Sequence, residues 1–439
     1  MVRVIARVSP GDRVALLLPG SPAYVDLVLL AARQGVVPVP LDPRLTEREQ
    51  AAILADVDPA VVVRDEAALE EVRAGLDPDP VSPAPLVRPM HMTSGTTGAP
   101  KGVWSGLLDD AAAQALVAEE RELWGFTSSD VHLVLSPLYH SAPLRFATGT
   151  LLAGGRIVLP GAASSRGGET QRQGGFDPAA ATLAIVEDRP TTMFCVPAHL
   201  QRLFAHWDTA GVPDLSGFRL VAHAGAACPP AVKRRLLELF PPGSTWEFYG
   251  STEGQFTACR SEEWLEHPGT VGRARPGRSL SVDPDGTIWC TVPEHARFSY
   301  WNAPEKTAAS WRETPQGAAF TVGDLGRLDD DGYLYLEGRR EDLVISGGVN
   351  VYPVEVEHAL AEHPGVVDVA VFGVDDERWG QRVCAAVVGS ATPAELTAFA
   401  AERLAPPKRP KEYFTVEALP HTATGKVKRL ELPGLLGIG

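Results

Sequence analysis

Residues 13–43 read RVALLLPGSPAYVDLVLLAARQGVVPVPLDP, and their order of apolar runs and turn residues sets the fold class. A short apolar run leads into a Pro-Gly-Ser turn, then an apolar-rich helical stretch from about Ala23 to Arg33, then a second run around Val36–Pro40. Strand, helix, strand is the grammar of a parallel sheet with crossover helices. The same grammar returns in VHLVLSPLYH (131–140), GRIVLPG (155–161), TTMFCVPAHL (191–200) and FRLVAHAGAACPPAVKRRLLELF (218–240). Such repetition predicts a large α/β domain whose ligands lie beyond the carboxyl ends of its strands.

After about residue 280 the pattern changes. Short alternating runs, GTIWC and GYLYLEG, sit beside D-G turns at Asp285-Gly286 and Asp331-Gly332, which predicts hairpins. The segment 351–389 alternates helix and strand again, as a small α+β domain would. Two stretches read as loops: 77–89, rich in proline, as a surface connection, and 161–178, rich in glycine, as a mobile loop. No internal repeat is present.

The 439 residues exceed what one compact core usually supports, so a large domain with at least one smaller one is expected. A 44% hydrophobic and 22% charged composition is that of a globular chain. The net charge of −15 argues against non-specific nucleic-acid binding, which needs basic surface. An anionic substrate must therefore be held by local donors. Five cysteines without any C-x-x-C pair suggest neither a zinc site nor a disulfide framework, and fit a reducing cytoplasm. No apolar run reaches the length of a membrane span, and MVRVIARVSPGDR lacks a signal-peptide core.

The stretch MTSGTTGAPKG (92–102) looks built to hold phosphate. It is not a Walker loop: Gly98 follows Gly95 after two residues, and Lys101 is followed by glycine where Ser or Thr would stand. Its glycines still let the backbone approach an anion, and Ser94, Thr96 and Thr97 add hydroxyl donors. The loop does not stand alone. In order along the chain come PLYH (137–140), AGAA (224–227), YGSTEG (249–254), TVGDLG (321–326), GRREDLVISGGVNVYPVEVE (338–357) and TATGKVKR (422–429).

This ordered set resembles the adenylate-forming acyl-CoA synthetase family, over nearly the whole chain, and looks most like its bacterial fatty-acyl and aryl-acid CoA ligases. The resemblance implies an α/β fold with a large amino-terminal domain of parallel-rich sheets and a hairpin region (1–340). A small mobile α+β carboxyl-terminal domain (341–439) would follow a hinge near Glu341, where most relatives carry Asp or Lys. It implies ATP and Mg²⁺, with coenzyme A as co-substrate and a small-molecule carboxylic acid as substrate. The acid is first joined to AMP, and the CoA thiol then displaces AMP.

Residue by residue, the resemblance makes Thr93, Ser94, Gly95, Thr96, Thr97, Gly98 and Lys101 the loop around the β- and γ-phosphates. Tyr249, Gly250, Ser251 and Thr252 would lie beside adenine and the α-phosphate, with Glu253 on Mg²⁺ and Gly225, Ala226 and Ala227 on the adenine wall. Asp324 would hold the ribose with Arg339 as its partner. Lys426 would bridge the carboxylate and the α-phosphate, His140 would line the acyl pocket, and Gly347 and Gly348 would leave room for pantetheine.

Acid specificity is expected from His140 through Pro143, Met193 through Pro197, Gly225 and Glu247–Phe248. Met193, Phe194 and Phe248 favour an apolar acyl group. Glu247 reads either as a structural hydrogen-bonding group or as a receptor for an amino or guanidino group. The amino terminus is shorter than is usual in the family, which predicts lower stability. Two rival readings stay open: an acyl-AMP ligase loading an acyl-carrier protein, and a non-catalytic binding protein derived from the fold. A luciferase-like oxygenase belongs to the same superfamily, and nothing in the chain requires it. The acid, the pathway and the oligomeric state stay open, with a homodimer as one expectation.

Overall fold

A computed structural model describes residues 8–79, 82–93, 100–160, 176–339, 342–346, 349–376, 379–404, 406–421 and 427–438. The opening stretch folds as read. Strand β1 (Arg13–Leu16), helix α1 (Pro22–Arg33), β2 (Val37–Pro40), α2 (Glu47–Val57) and β3 (Val61–Val63) build a parallel sheet of order β2-β1-β3. Ser21 starts α1 by accepting from the Tyr24 amide, with Pro22 at the first helical position, where its missing N–H costs nothing. Thr46 and Glu49 form a reciprocal capping box on α2. Helix α3 (Glu66–Gly75) completes the lobe, burying Leu69 and Val72.

The segment after α3 departs from expectation. The described part of 77–89 is packed: Ser82, Ala84 and Val87 are buried, and the Leu86 amide donates to Ala32 O at 2.8 Å. Its prolines carry no backbone N–H, so burying the run leaves fewer donors in need of partners. Residues 161–175, most of the expected mobile loop, lie outside the described residues.

Next come β4 (Met92–Thr93), β5 (Lys101–Trp104), α4 (Asp110–Trp124), β6 (Val131–Val134), α5 (Ser141–Leu152), β7 (Arg156–Val158), α6 (Pro178–Asp188) and β8 (Thr192–Cys195). They continue into α7 (Pro197–Ala210), β9 (Leu220–His223), α8 (Pro230–Leu239), β10 (Thr245–Glu247), β11 (Thr257–Arg260), α9 (Ser261–Glu266) and β12 (Arg273–Ala274). The central sheet has order β12-β11-β10-β9-β8-β6-β7. Its members from β10 to β7 run parallel, as the repeated grammar required, and β11 and β12 return antiparallel. Strands such as Thr192–Cys195 and Leu220–His223 are buried on both faces, as crossover helices demand.

Both D-G turns join hairpins. Asp285-Gly286 links β13 (Ser279–Val282) to β14 (Ile288–Thr291). β15 (Ser299–Tyr300) runs back along β5, α10 (Pro304–Ser310) follows, and β16 (Trp311–Thr314) and β17 (Gly317–Phe320) extend the sheet of β14. Asp331-Gly332 links β18 (Asp324–Leu328) to β19 (Leu334–Arg339). The last unit comprises β20 (Val344–Ser346), β21 (Val349–Val351), α11 (Pro353–Ala361), β22 (Val366–Asp376), β23 (Gly380–Gly389), α12 (Pro393–Arg403), β24 (Glu412–Thr415) and α13 (Leu432–Leu435). It is a five-stranded sheet with helices, an α+β unit as expected.

The apolar cores divide in the same place. Clusters drawn from residues up to Leu336 and clusters drawn from Val344 onward share no member. Among the described residues, no helix is long and apolar enough to cross a membrane, and all five cysteines are free thiols.

Candidate active site

The central sheet brings the motifs together because each follows a parallel strand. His140 sits at the start of α5 after β6, Gly225 follows β9, and Tyr249 follows β10. With β8 lying between β6 and β9 in the sheet, these loops share the carboxyl-end crevice that this topology reserves for ligands.

The loop at 249–254 is tightly folded. Gly250 and Gln255 face each other across an antiparallel bridge, and the Ser251 amide donates to Gly254 O at 2.9 Å. A side chain at Gly250 would come within 2.8 Å of the Gln255 backbone, so glycine is a steric requirement there. Gly225 has φ +93°, a conformation that other residues rarely adopt. Ala226 and Ala227 beside it are exposed.

Two phenols tie this loop to the hairpin region. The Tyr249 hydroxyl donates to Asp324 Oδ2 at 2.5 Å, and the Tyr300 hydroxyl donates to Glu253 Oε1 at 2.8 Å. Asp324 and Arg339 are register partners across β18 and β19. Tyr300 is in turn paired with Val103 through β15 and β5, which places Glu253 beside the strand that leaves the 93–101 loop.

Of that loop, Thr93 and Lys101 are described, and Ser94, Gly95, Thr96, Thr97 and Gly98 lie outside the described residues. The Thr93 hydroxyl donates to Lys101 O at 3.2 Å. Lys101 Nζ donates to Asp56 Oδ1 at 3.0 Å, an ion pair with α2 that its motif does not announce. Lys426, Glu341, Gly347 and Gly348 also lie outside the described residues, although Ser346 and Val349 on either side of the glycines are register partners.

A cavity of about 230 Å³ opens from Ser251 and Thr252 and runs between α4 and α5. Ser141, Leu144, Arg145, Thr148 and Leu152 line it at helical spacing, one face of α5. Arg88, Glu119, Glu120, Arg275 and Arg278 also face it. His91 contributes a ring whose Nδ1 lies 3.0 Å from Tyr139 O, and burial pushes this histidine down to about 4, so it is neutral at pH 7.

The expected acyl wall is not this cavity. Phe194 and Phe248 pack with Trp124, Phe126 and Phe146 in an apolar cluster, and Met193 lies in another, because their strands are buried on both faces. Of the two readings of Glu247 the structural one fits: Lys233 Nζ donates to Glu247 Oε2 at 2.6 Å and approaches His223 Nε2 at 2.9 Å. That carboxylate already holds an internal ammonium, so it does not receive a substrate's.

Arg88, His91 and Arg145 carry no motif signal; only the helical spacing of Arg145 from Ser141 hints at a shared face. Lys306 was also missed. Its Nζ lies 4.0 Å from the Tyr300 ring centroid, beside Glu253, and burial lowers its pKa against the attraction of Glu253.

Comparison with known proteins supplies the remaining observation. The family described as AMP-binding enzyme matches residues 4–86 and 89–293, and its carboxyl-terminal domain matches 355–426. A feruloyl-CoA synthase of an Amycolatopsis species is 34% identical over 97% of this chain and 89% of its own length. ScoC of Streptomyces coeruleorubidus, a fatty acid–[acyl-carrier-protein] ligase, is 30% identical over 97% of this chain and 88% of its own. The solved o-succinylbenzoate CoA synthetase of Bacillus subtilis, in complex with its acyl-adenylate intermediate, superposes with TM-score 0.79. It is 26% identical and covers 98% of this chain and 90% of that one.

Proposed function

The chain belongs to the AMP-binding enzyme family, and from that premise we propose that it is an ATP-dependent acid–thiol ligase, an AMP-forming acyl-CoA synthetase. The observation that carries the reading is the linkage of Tyr249, Asp324, Glu253 and Tyr300 at the carboxyl-end crevice.

The chemistry follows from charge. A carboxylate resists nucleophiles because it is itself anionic and has no leaving group. One carboxylate oxygen attacks the α-phosphorus of ATP, the bond to pyrophosphate breaks, and the acid becomes a mixed anhydride with AMP. The CoA sulfur then attacks the carbonyl carbon, the carbon–oxygen bond to AMP breaks, and AMP leaves with the oxygen.

Asp324 would accept from the ribose hydroxyls while Tyr249 orients it, and the exposed Ala226 and Ala227 would face adenine. Thr252 would donate to the α-phosphate. Lys426 would offset the repulsion between the two anions, and the 93–101 loop would stabilise the charge building on pyrophosphate. Lys306 and Lys101 would add positive charge beside Glu253. Among the described residues no group of three His, Cys, Asp or Glu side chains forms a metal cage. The buried Glu253 carboxylate, a hard oxygen donor, would hold Mg²⁺, which would supply positive charge to the phosphates.

We place the domain boundary near Glu341, with rotation of the carboxyl-terminal unit between the two half-reactions. The division of the apolar cores between Leu336 and Val344 supports this. Five free thiols support a reducing, cytoplasmic location. A carrier protein as thiol acceptor is the second reading, favoured by the likeness to ScoC.

The test is acid-dependent pyrophosphate release with and without CoA, with AMP and acyl-CoA followed by mass spectrometry. The expected outcome is both products, with Lys426→Ala lowering adenylation by at least about 100-fold, the scale of a lost transition-state charge contact. Adenylate without thioester selects the carrier reading, and unchanged pyrophosphate release in Lys426→Ala refutes that residue's role.

A further inference from the structure

We propose that the cavity beside Thr252 selects acids bearing a second, distal carboxylate, which Arg145 binds while the reacting carboxylate lies at Thr252. This rests on the ligase reading above and names its substrate class.

The argument begins with unbalanced charge. Five guanidinium groups, Arg88, Arg121, Arg145, Arg275 and Arg278, line the cavity against two carboxylates, Glu119 and Glu120. Both carboxylates are already occupied. Glu119 accepts from Arg278 Nη2 at 2.8 Å and contacts His295 Nε2 at 2.6 Å. Glu120 accepts from Arg275 Nη1 at 2.8 Å and from the Trp124 indole at 3.1 Å.

Arg145 is left without a hydrogen bond. It forms an ion pair with Glu120, Nε to Oε2 at 3.6 Å, beyond hydrogen-bond distance, and its buried Nε has no hydrogen-bond partner. Among the described residues its guanidinium makes no hydrogen bond, while its Cζ lies 5.4 Å from the Phe248 ring centroid. Arg88 gives one bond, Nη2 to Arg297 O at 3.0 Å, and its buried Nε likewise has none. Burial pushes Arg88 down to about 10 and lowers Arg145 as well. A guanidinium does not lose its proton at neutral pH, so the surplus is relieved by an anion brought from outside.

A carboxylate is the anion this geometry suits, because the planar fork of Arg matches its two oxygens. Leu116, Phe126, Leu144 and Phe320 supply apolar wall for the spacer between the two acid groups. At about 230 Å³ the space lies below the roughly 300–1,000 Å³ of sites for drug-sized ligands, so it takes a short or single-ring diacid and excludes a long acyl chain. The unpartnered Ser251 hydroxyl at the mouth is placed to donate to the reacting end.

The test compares dicarboxylic acids of four to eight carbons, and benzene dicarboxylates, with their monoamides, by AMP and acyl-CoA formation. A dicarboxylate kcat/KM at least about 30-fold above its monoamide is expected, the discrimination that unpaired buried donors impose. Arg145→Gln should collapse that ratio towards one, chiefly by raising KM for the diacid, and Arg145→Lys should leave it intermediate. A wild-type enzyme that prefers the monoamide or a neutral fatty acid overturns this proposal and leaves the ligase reading standing. Equal loss on both substrates in Arg145→Gln overturns it too. No AMP from any acid overturns both readings. The wild-type comparison needs no variant, so a folding defect cannot rescue the idea.

Discussion

Two groups of buried charge lie on the large domain, and they differ in whether their donors are used up. Lys233, Glu247 and His223 form a closed set: the ammonium is fully buried, it pairs with a carboxylate only 7% exposed, and His223 takes its other side. Burial and the Lys233 charge hold His223 well below its ordinary pKa, so the set is one cation, one anion and one neutral ring. The cavity set has five guanidinium groups, two carboxylates and, in Arg145, a guanidinium without a hydrogen bond. Buried charge alone therefore does not mark a site; an unspent donor does.

The largest effect should come from opening the closed set. Lys233→Met leaves Glu247 buried without its partner and should cost about 3–5 kcal/mol of unfolding free energy by urea titration. Replacing both partners, Lys233→Met with Glu247→Leu, should recover most of that loss. A single variant as stable as wild type would dissolve the contrast.

The pH dependence is next in size. His91 on the cavity, lowered to about 4, and His132 on β6, lowered to about 3 by burial, are neutral when folded. The unfolded chain, with histidines near 6.5, binds more protons between those values, so stability rises with pH there and is lost as pH falls from about 6.5 towards 4. His91 alone accounts for about 3 kcal/mol at the bottom of that window. Unfolding free energies at pH 7.5, 6 and 5 test this, and His91→Gln should flatten the slope. A profile flat down to pH 5 contradicts it.

The smallest effect sharpens the contrast from the other side. Arg145→Gln should change stability by no more than about 1 kcal/mol, since Glu120 keeps Arg275 and the Trp124 indole. A loss as large as that of Lys233→Met would make Arg145 a structural partner of Glu120 and not a spare donor.

Much of this was legible beforehand. The expected helix from about Ala23 to Arg33 is Pro22–Arg33, and both D-G turns join the hairpins predicted for them. Tyr249, Glu253, Asp324 and the neighbours of Gly225 were named from their motifs, and the crevice gathers those loops. The misses share a cause. Phe194 and Phe248 were assigned to an acyl wall because they flank motif residues, yet adjacent positions on a strand point to opposite faces, and the faces here are both covered. The phosphate-loop motif also does not announce the ion pair of Lys101 with Asp56 of α2.

Local sequence settles what local physics controls: apolar periodicity, capping residues and turn glycines fix backbone conformation, and glycine-rich loops fix where an anion can approach. Those terms act over a few residues and are readable without a partner. The partners of Lys233, Lys101 and Arg145 come from distant elements, and nothing in the spacing of a lone charged residue says which carboxylate it will meet. Packing of α4 against α5, and of α8 against β9 and β10, decides that. A charge in a low-dielectric interior is worth keeping or costly to keep according to what the fold places beside it.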